Sequence, residues 1–243
     1  FIYSYIINMY KPIIIFLLSF IIGCILFFSC HRSIDIKTFD SGKPGINILL
    51  LAGTHGNEPA GSHTLLRLQN LFLKGVYKIK SGKLTIVHNV NPCGYYFDNR
   101  YYSVLGTKID INRMYKKNFL INNKIEKLIP EHNLILDFHE GWGYIGKNEG
   151  SIGSSITTLN IPFRHEYNIL KLLNKNIRHV EKKWYKNDIK IEVSNSLREL
   201  AMKNKKKYIL IETTGQNNVQ PLDVRMKQNN IILNYILKVY GVI

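Results

Sequence analysis

His55 and Glu58 stand three residues apart within residues 49–61, LLLAGTHGNEPAG. A neutral imidazole and a carboxylate at that spacing can face the same way and grip one divalent ion. A pair this short arises often by chance, so its meaning depends on the rest of the chain. A second imidazole, His139, follows an apolar run in Leu136-Asp137-Phe138-His139-Glu140-Gly141. Two histidines and one carboxylate form the donor set of a catalytic zinc site, which keeps one position open, rather than of a structural one. Zinc lowers the pKa of a bound water to about 7. Such a site needs a general base, and Glu212, at the end of the apolar run Ile209-Leu210-Ile211, is the candidate. Burial at a strand end raises a carboxyl pKa towards the range useful for proton transfer.

An anionic substrate also needs fixed positive charge. Asp110-Ile111-Asn112-Arg113 offers it. Arg113 can clamp a carboxylate with two parallel hydrogen bonds, and Asn112 can add a third. Asp110 can accept from the far nitrogen of a metal-bound imidazole and fix its tautomer. Arg100, in the loop after Asn91-Pro92, suits a developing oxyanion. Each of these groups also has an ordinary reading as a surface ion pair.

Short apolar runs alternate with amphipathic segments. Strands are expected over residues 46–52, 84–90, 134–138, 189–193 and 208–213. Helices are expected over residues 58–73, 119–128, 166–184, 197–203 (with Ser194 as a cap) and 221–240. Residues 33–45 read as a polar connector, and the Gly- and Ser-rich residues 141–155 as a mobile loop. The pattern predicts an α/β fold with a mixed, largely parallel sheet sandwiched by helices, forming one domain over residues 46–243. In such sheets ligands bind beyond the carboxyl ends of the strands. His55, Asn91, His139 and Glu212 all follow or end an expected strand.

Ahead of that domain, residues 1–32 read as an N-terminal extension. Residues 12–30, PIIIFLLSFIIGCILFFSC, contain no charged side chain and are long enough to cross a bilayer. The expectation is a transmembrane helix acting as an uncleaved, single-pass signal-anchor, with the side of the membrane unspecified. The alternative is a signal peptide removed on secretion. The three cysteines, Cys24, Cys30 and Cys93, cannot build a cysteine-based zinc site. Lys and Arg outnumber Asp and Glu by 33 to 17, for a net charge of +16. With no zinc-finger, helix-turn-helix or RNA-binding signature, that excess reads as a Lys-rich solvated surface, and no nucleic-acid partner is expected.

Taken together, HGNE, NPxG with a downstream Arg, DxNR, DFH and a late strand-end Glu resemble the zinc carboxypeptidase superfamily. They are most similar to its succinylglutamate desuccinylase/aspartoacylase branch, over residues 46–215. The resemblance implies one Zn2+ per chain on His55, Glu58 and His139, and Glu212 as general base and later proton donor. It implies Asn112 and Arg113 as binders of a substrate carboxylate, Arg100 as carbonyl or oxyanion partner, and Asp110 as the residue orienting His55. The expected activity is hydrolysis of an amide bond in a carboxylate-bearing small molecule or peptide, by an N-acyl amino acid deacylase or a metallocarboxypeptidase. A non-catalytic, membrane-anchored carboxylate-binding module of the same fold is the alternative. Two departures stand out. The sequence given stops at Ile243, without the β-rich C-terminal domain of aspartoacylase-like enzymes, so a more open site and larger substrates are expected. Glu140 and Trp142 follow His139, where relatives often carry small or polar residues, and Glu140 would either lower the charge at zinc or pair with a Lys or Arg.

Overall fold

The structure, a computed structural model, describes residues 10–21, 32–104, 106–188 and 193–243. Residues 10–21 form an exposed helix (α1). The remainder of the expected membrane span, residues 22–30, lies outside the described residues. Among the described residues no helix is long and apolar enough to cross a membrane. The transmembrane helix over residues 12–30, and attachment to a membrane through it, therefore gain no support.

The centre of the fold is β2 (Asn47–Ala52), β6 (Leu134–Gly141) and β9 (Lys207–Thr214), which run parallel side by side. Their apolar runs are buried on both faces, as strands covered by helices on either side require. Outside them lie β3 (Lys83–Val87), parallel to β2, and β1 (Lys37–Asp40), antiparallel to β3. On the other side β7 (Ser155–Leu159) runs antiparallel to β9, and β8 (Tyr185–Lys186) parallel to β7. The sheet order is β1-β3-β2-β6-β9-β7-β8. The mixed, mostly parallel sheet between helices is the architecture expected from the sequence.

One face carries α2 (Pro59–Leu73), α5 (Phe163–Asn174) and α7 (Leu222–Val239), packed over Leu50, Leu136, Phe138 and Ile211. The other carries α4 (Leu120–Glu126) and α6 (Leu197–Lys203), over Leu49, Leu51, Ile135 and Tyr208. A short helix α3 (Pro92–Tyr96) and the hairpin of β4 (Tyr102–Val104) and β5 (Thr107–Ile109) lie between β3 and the Asp110 loop.

Several local expectations change. The stretch read as a connector contains β1, which joins the sheet edge. The helix expected over residues 166–184 ends at Asn174, whose side chain accepts from Trp184 N at 2.7 Å and donates to Trp184 O at 2.9 Å. That pairing folds Trp184 back into the core, where it is 2% exposed. α6 is capped by Ser196 rather than Ser194, its oxygen accepting from Glu199 N. The strand expected over residues 189–193 falls mostly outside the described residues. The loop expected to be mobile is tied down. Ser151 Oγ accepts from Gly143 N and donates to Gly143 O, and Tyr144 bridges to Gly153.

Candidate active site

β2 ends at Gly53, whose φ of +68° turns the chain; a side chain there would strike Ser62 and Asn89. The turn delivers His55, 4% exposed, to the sheet mouth. Glu58 stands at the N-cap position of α2 and is 2% exposed. β6 carries Asp137 and His139 on one face by strand alternation, and β9 places Glu212 opposite His139 in register. Sequence-distant groups thus meet because three parallel strands end at one level.

The contacts are close. His55 Nδ1 lies 2.8 Å from Glu58 Oε1, and His139 Nδ1 lies 2.8 Å from Glu58 Oε2. The two Nδ1 atoms are 3.2 Å apart. His55 Nε2 lies 3.2 Å from Asp110 Oδ1, and His139 Nε2 lies 3.2 Å from Asp137 Oδ1. Each imidazole therefore has one nitrogen towards a shared centre and the other towards a carboxylate, the arrangement that fixes tautomer in metal-binding histidines. With a carboxylate near both nitrogens, each ring is either doubly protonated or free to give its near nitrogen to a cation. Three donors within 4.8 Å of one another are compact enough for one ion. Zinc ligands about 2.0–2.1 Å from the metal sit roughly 3.3 Å apart in a tetrahedron. The residues present fit the ion, with both Nδ1 atoms and Glu58 as donors.

The electrostatics follow from burial. Burial alone would raise Glu58, but the two imidazoles beside it hold its carboxyl well below the usual range. Burial would lower His139, but Asp137 and Glu58 hold it well above the ordinary histidine value. Glu212 has no such compensation: burial, reinforced by Glu58 and Asp137, pushes it up to about 8 against the pull of His139 and Arg100. Asp110, against the effect of its burial, is held low by its hydrogen bond to His55 and by Arg100 and Arg113.

A cavity of about 300 Å³ opens over these groups. Arg100 lines it, with Nη2 3.1 Å from Asp110 Oδ2 and Nη1 3.5 Å from Glu58 Oε1. Asn112 and the exposed Arg113 line it too. Asn112 Oδ1 accepts from Leu197 N, which leaves its amide nitrogen for the cavity. Every site residue expected from the sequence lines this cavity or touches a residue that does.

The structure adds groups that sequence reasoning passed over. Arg198, Ser196 and Tyr208 also line the cavity. Tyr208 donates to Asp137 Oδ2 at 2.8 Å. Gln216 Nε2 donates to Glu58 Oε1 at 3.0 Å. Glu140, whose role the sequence left open, turns to the other face of β6 and pairs with the buried Arg225 of α7. A strand residue beside a facing residue points away from it, so the period-2 rule alone separates Glu140 from His139.

The succinylglutamate desuccinylase/aspartoacylase catalytic domain family matches residues 44–144 of this chain. The match takes in His55, Glu58, Asn112, Arg113 and His139 and stops before Glu212. That match covers 101 of the 243 residues. Several solved structures share the fold of this chain. The product-bound cell shape determinant Csd4 of Helicobacter pylori is 19% identical with a TM-score of 0.71, over 87% of this chain and 56% of that one. An mDAP-bound form of Csd4, described as a D,L-carboxypeptidase, is 20% identical with a TM-score of 0.67, over 82% and 52%. A succinylglutamate desuccinylase/aspartoacylase from Rhodobacter sphaeroides is 17% identical with a TM-score of 0.63, over 87% and 60%. The chain thus spans between half and two thirds of the length of these three structures. No curated protein matches its sequence.

Proposed function

We propose that this protein is a zinc-dependent hydrolase that cleaves an amide bond in a substrate bearing a carboxylate. The observation that carries the reading is the meeting of both Nδ1 atoms on Glu58, with Glu212 paired in register beside His139. His55, Glu58 and His139 would hold the ion, which when bound supplies a Lewis acid and a water acidic enough to ionise near neutral pH. Asp110 and Asp137 hold the far nitrogens of the two imidazoles and keep the near ones turned inward. Asn112 and Arg113 bind the substrate carboxylate and so fix which amide lies over Glu212. The Glu212 carboxylate takes a proton from the attacking water and passes it to the leaving nitrogen, giving a carboxylate and an amine. Arg100, already turned into the cavity, steadies the charge that develops on the carbonyl oxygen.

Two substrate classes compete, N-acyl amino acids and peptides. Trp142 favours the peptide. It lines the cavity yet is 46% exposed, while the backbone on either side of it is pinned. Gly215 N donates to Gly141 O, and Ser151 holds both polar atoms of Gly143. A flat, half-exposed indole carried on a pinned backbone suits a further residue of a longer substrate better than a small acyl group. W142A is therefore expected to raise KM for a cleaved peptide about 10-fold, and for an N-acetyl amino acid less than about 2-fold, with kcat little changed. Equal shifts for both substrates would return the choice to the deacylase.

Turnover of such substrates by the zinc-loaded protein, assayed on a panel of both classes, tests the overall reading. Zinc uptake with no turnover on the panel would favour a binding module. Within the enzyme reading, R113A is expected to raise KM about 10- to 100-fold for substrates with a free carboxylate. It should change little when that carboxylate is amidated. An unchanged KM for the free acid would remove Arg113 from carboxylate binding.

A further inference from the structure

Glu58 occupies the N-cap of α2 but makes no capping hydrogen bond; both its oxygens are turned to the imidazoles instead. Pro59 follows and has no N–H, so the first free donor of the helix is Ala60 N. That donor is met from another strand: Ala60 N donates to Glu140 Oε1 at 2.6 Å. An oxygen accepting from the second N–H of a helix is what a capping side chain provides. The remaining polar atoms of Glu140 converge on the same place. Its backbone N donates to Glu58 Oε2 at 3.1 Å. Its backbone O accepts from Gln216 Nε2, the group that also donates to Glu58 Oε1.

A carboxylate with 1% exposure needs a counter-charge, and Arg225 of α7, 2% exposed, bonds Glu140 Oε2. The chain closes over the pair at Gly215, where any side chain would strike Glu140 Oε2 and the Arg225 guanidinium. Glu140 and Gln216 border the cavity, but the polar atoms of Glu140 are all engaged with α2, Glu58, Gln216 and Arg225.

We propose that Glu140 is a positioning residue that caps α2 in place of Glu58, anchored for that task by Arg225, so that Glu58 stays free for the metal. The proposal rests on the metal-binding reading above. It makes α7 part of the support of the metal site. Removing the cap is expected to let the first turn of α2 shift and Glu58 with it. Outer partners of this kind change metal affinity by about 10- to 100-fold.

The test compares two double variants of the full chain, each lacking the buried charge pair, by competition for Zn2+ with a chromophoric chelator. E140Q/R225M keeps an oxygen able to accept from Ala60 N, and is expected to bind zinc within about 3-fold of wild type. E140M/R225M has no acceptor and is expected to bind at least ~10-fold more weakly while keeping its circular dichroism. Should the methionine pair fail to fold, E140N/R225M, whose shorter amide falls short of Ala60, takes its place with the same expectation. Folded variants that both match wild type, or that both weaken equally, would overturn the capping role. A merely structural pair would lower unfolding stability in both variants and leave zinc affinity alone. Wild-type protein that takes up no zinc would overturn the metal reading, and this proposal with it.

Discussion

Glu212→Gln is expected to lower kcat/KM by at least ~10²-fold while the protein still binds about one zinc per chain. The amide keeps the size of the carboxyl and part of its hydrogen bonding but cannot take a proton from water. General-base catalysis contributes typically about 10²–10⁴-fold, so the loss corresponds to at least ~2.7 kcal/mol of barrier. The same substitution has a second signature in stability. In the metal-free protein Glu212 titrates at about 8, against 4.5 for the free side chain. A folded pKa raised in this way means that the stability tied to this group is fully present below about 4.5 and is lost as pH rises through 8. Between those limits the unfolded chain carries the charge and the folded one does not. Wild type should therefore lose stability relative to E212Q by up to about 1.4 kcal/mol per pH unit across that window. Urea unfolding of both metal-free proteins at pH 5 and pH 8 checks it. The sign is particular: E212Q should gain on wild type as the pH rises. A flat difference would mean that Glu212 is solvated, and a base with an ordinary pKa. Activity retained by E212Q would remove it from proton transfer altogether.

His139→Ala should reduce bound zinc from about one per chain to none and lower activity by at least ~10³-fold. His139 is one of the three donors proposed for the ion among the described residues, and its loss would leave Glu58 and His55 to hold it. Metal analysis after gel filtration gives the stoichiometry. Chelation followed by zinc addition should restore wild type and leave H139A inactive. Bound zinc should also raise the unfolding temperature of wild type and not of the variant, because a ligand stabilises only the state that binds it. Full zinc occupancy in folded H139A would place the metal elsewhere and end the hydrolase reading. Since the variant also removes a buried imidazole paired with Asp137, circular dichroism must accompany the metal analysis.

His55, Glu58, His139 and Glu212 were legible along the chain because each sits where a buried strand ends and polar chemistry begins. The apolar runs of β2, β6 and β9 announce themselves by composition, and their carboxyl ends are where parallel sheets place ligands. β1, β7 and β8 were not legible. They are short, two of them rich in polar residues, and they exist as strands only because β3, β9 and β7 offer β1, β7 and β8 their edges. Local pattern carries no information about an edge that another part of the chain supplies. Trp184 misled for a related reason: its helical spacing from Leu173 and Ile177 is real, but the Asn174 side chain ends the helix before it.

The sequence by itself determined the donor types, their order and the strand ends that carry them. Tertiary structure decided which nitrogen of each imidazole faces inward: the Asp110 carboxylate bonds the far nitrogen of His55, and that of Asp137 lies 3.2 Å from the far nitrogen of His139. It decided what Glu140 does, because the partner that settles its role, Arg225, stands 85 positions away on another element. A hydrogen bond between such distant residues leaves no periodicity in the chain; only the packing of α7 against the sheet creates it. The same packing lets a carboxylate adjacent to His139 serve the helix that presents Glu58 instead of joining His55, Glu58 and His139.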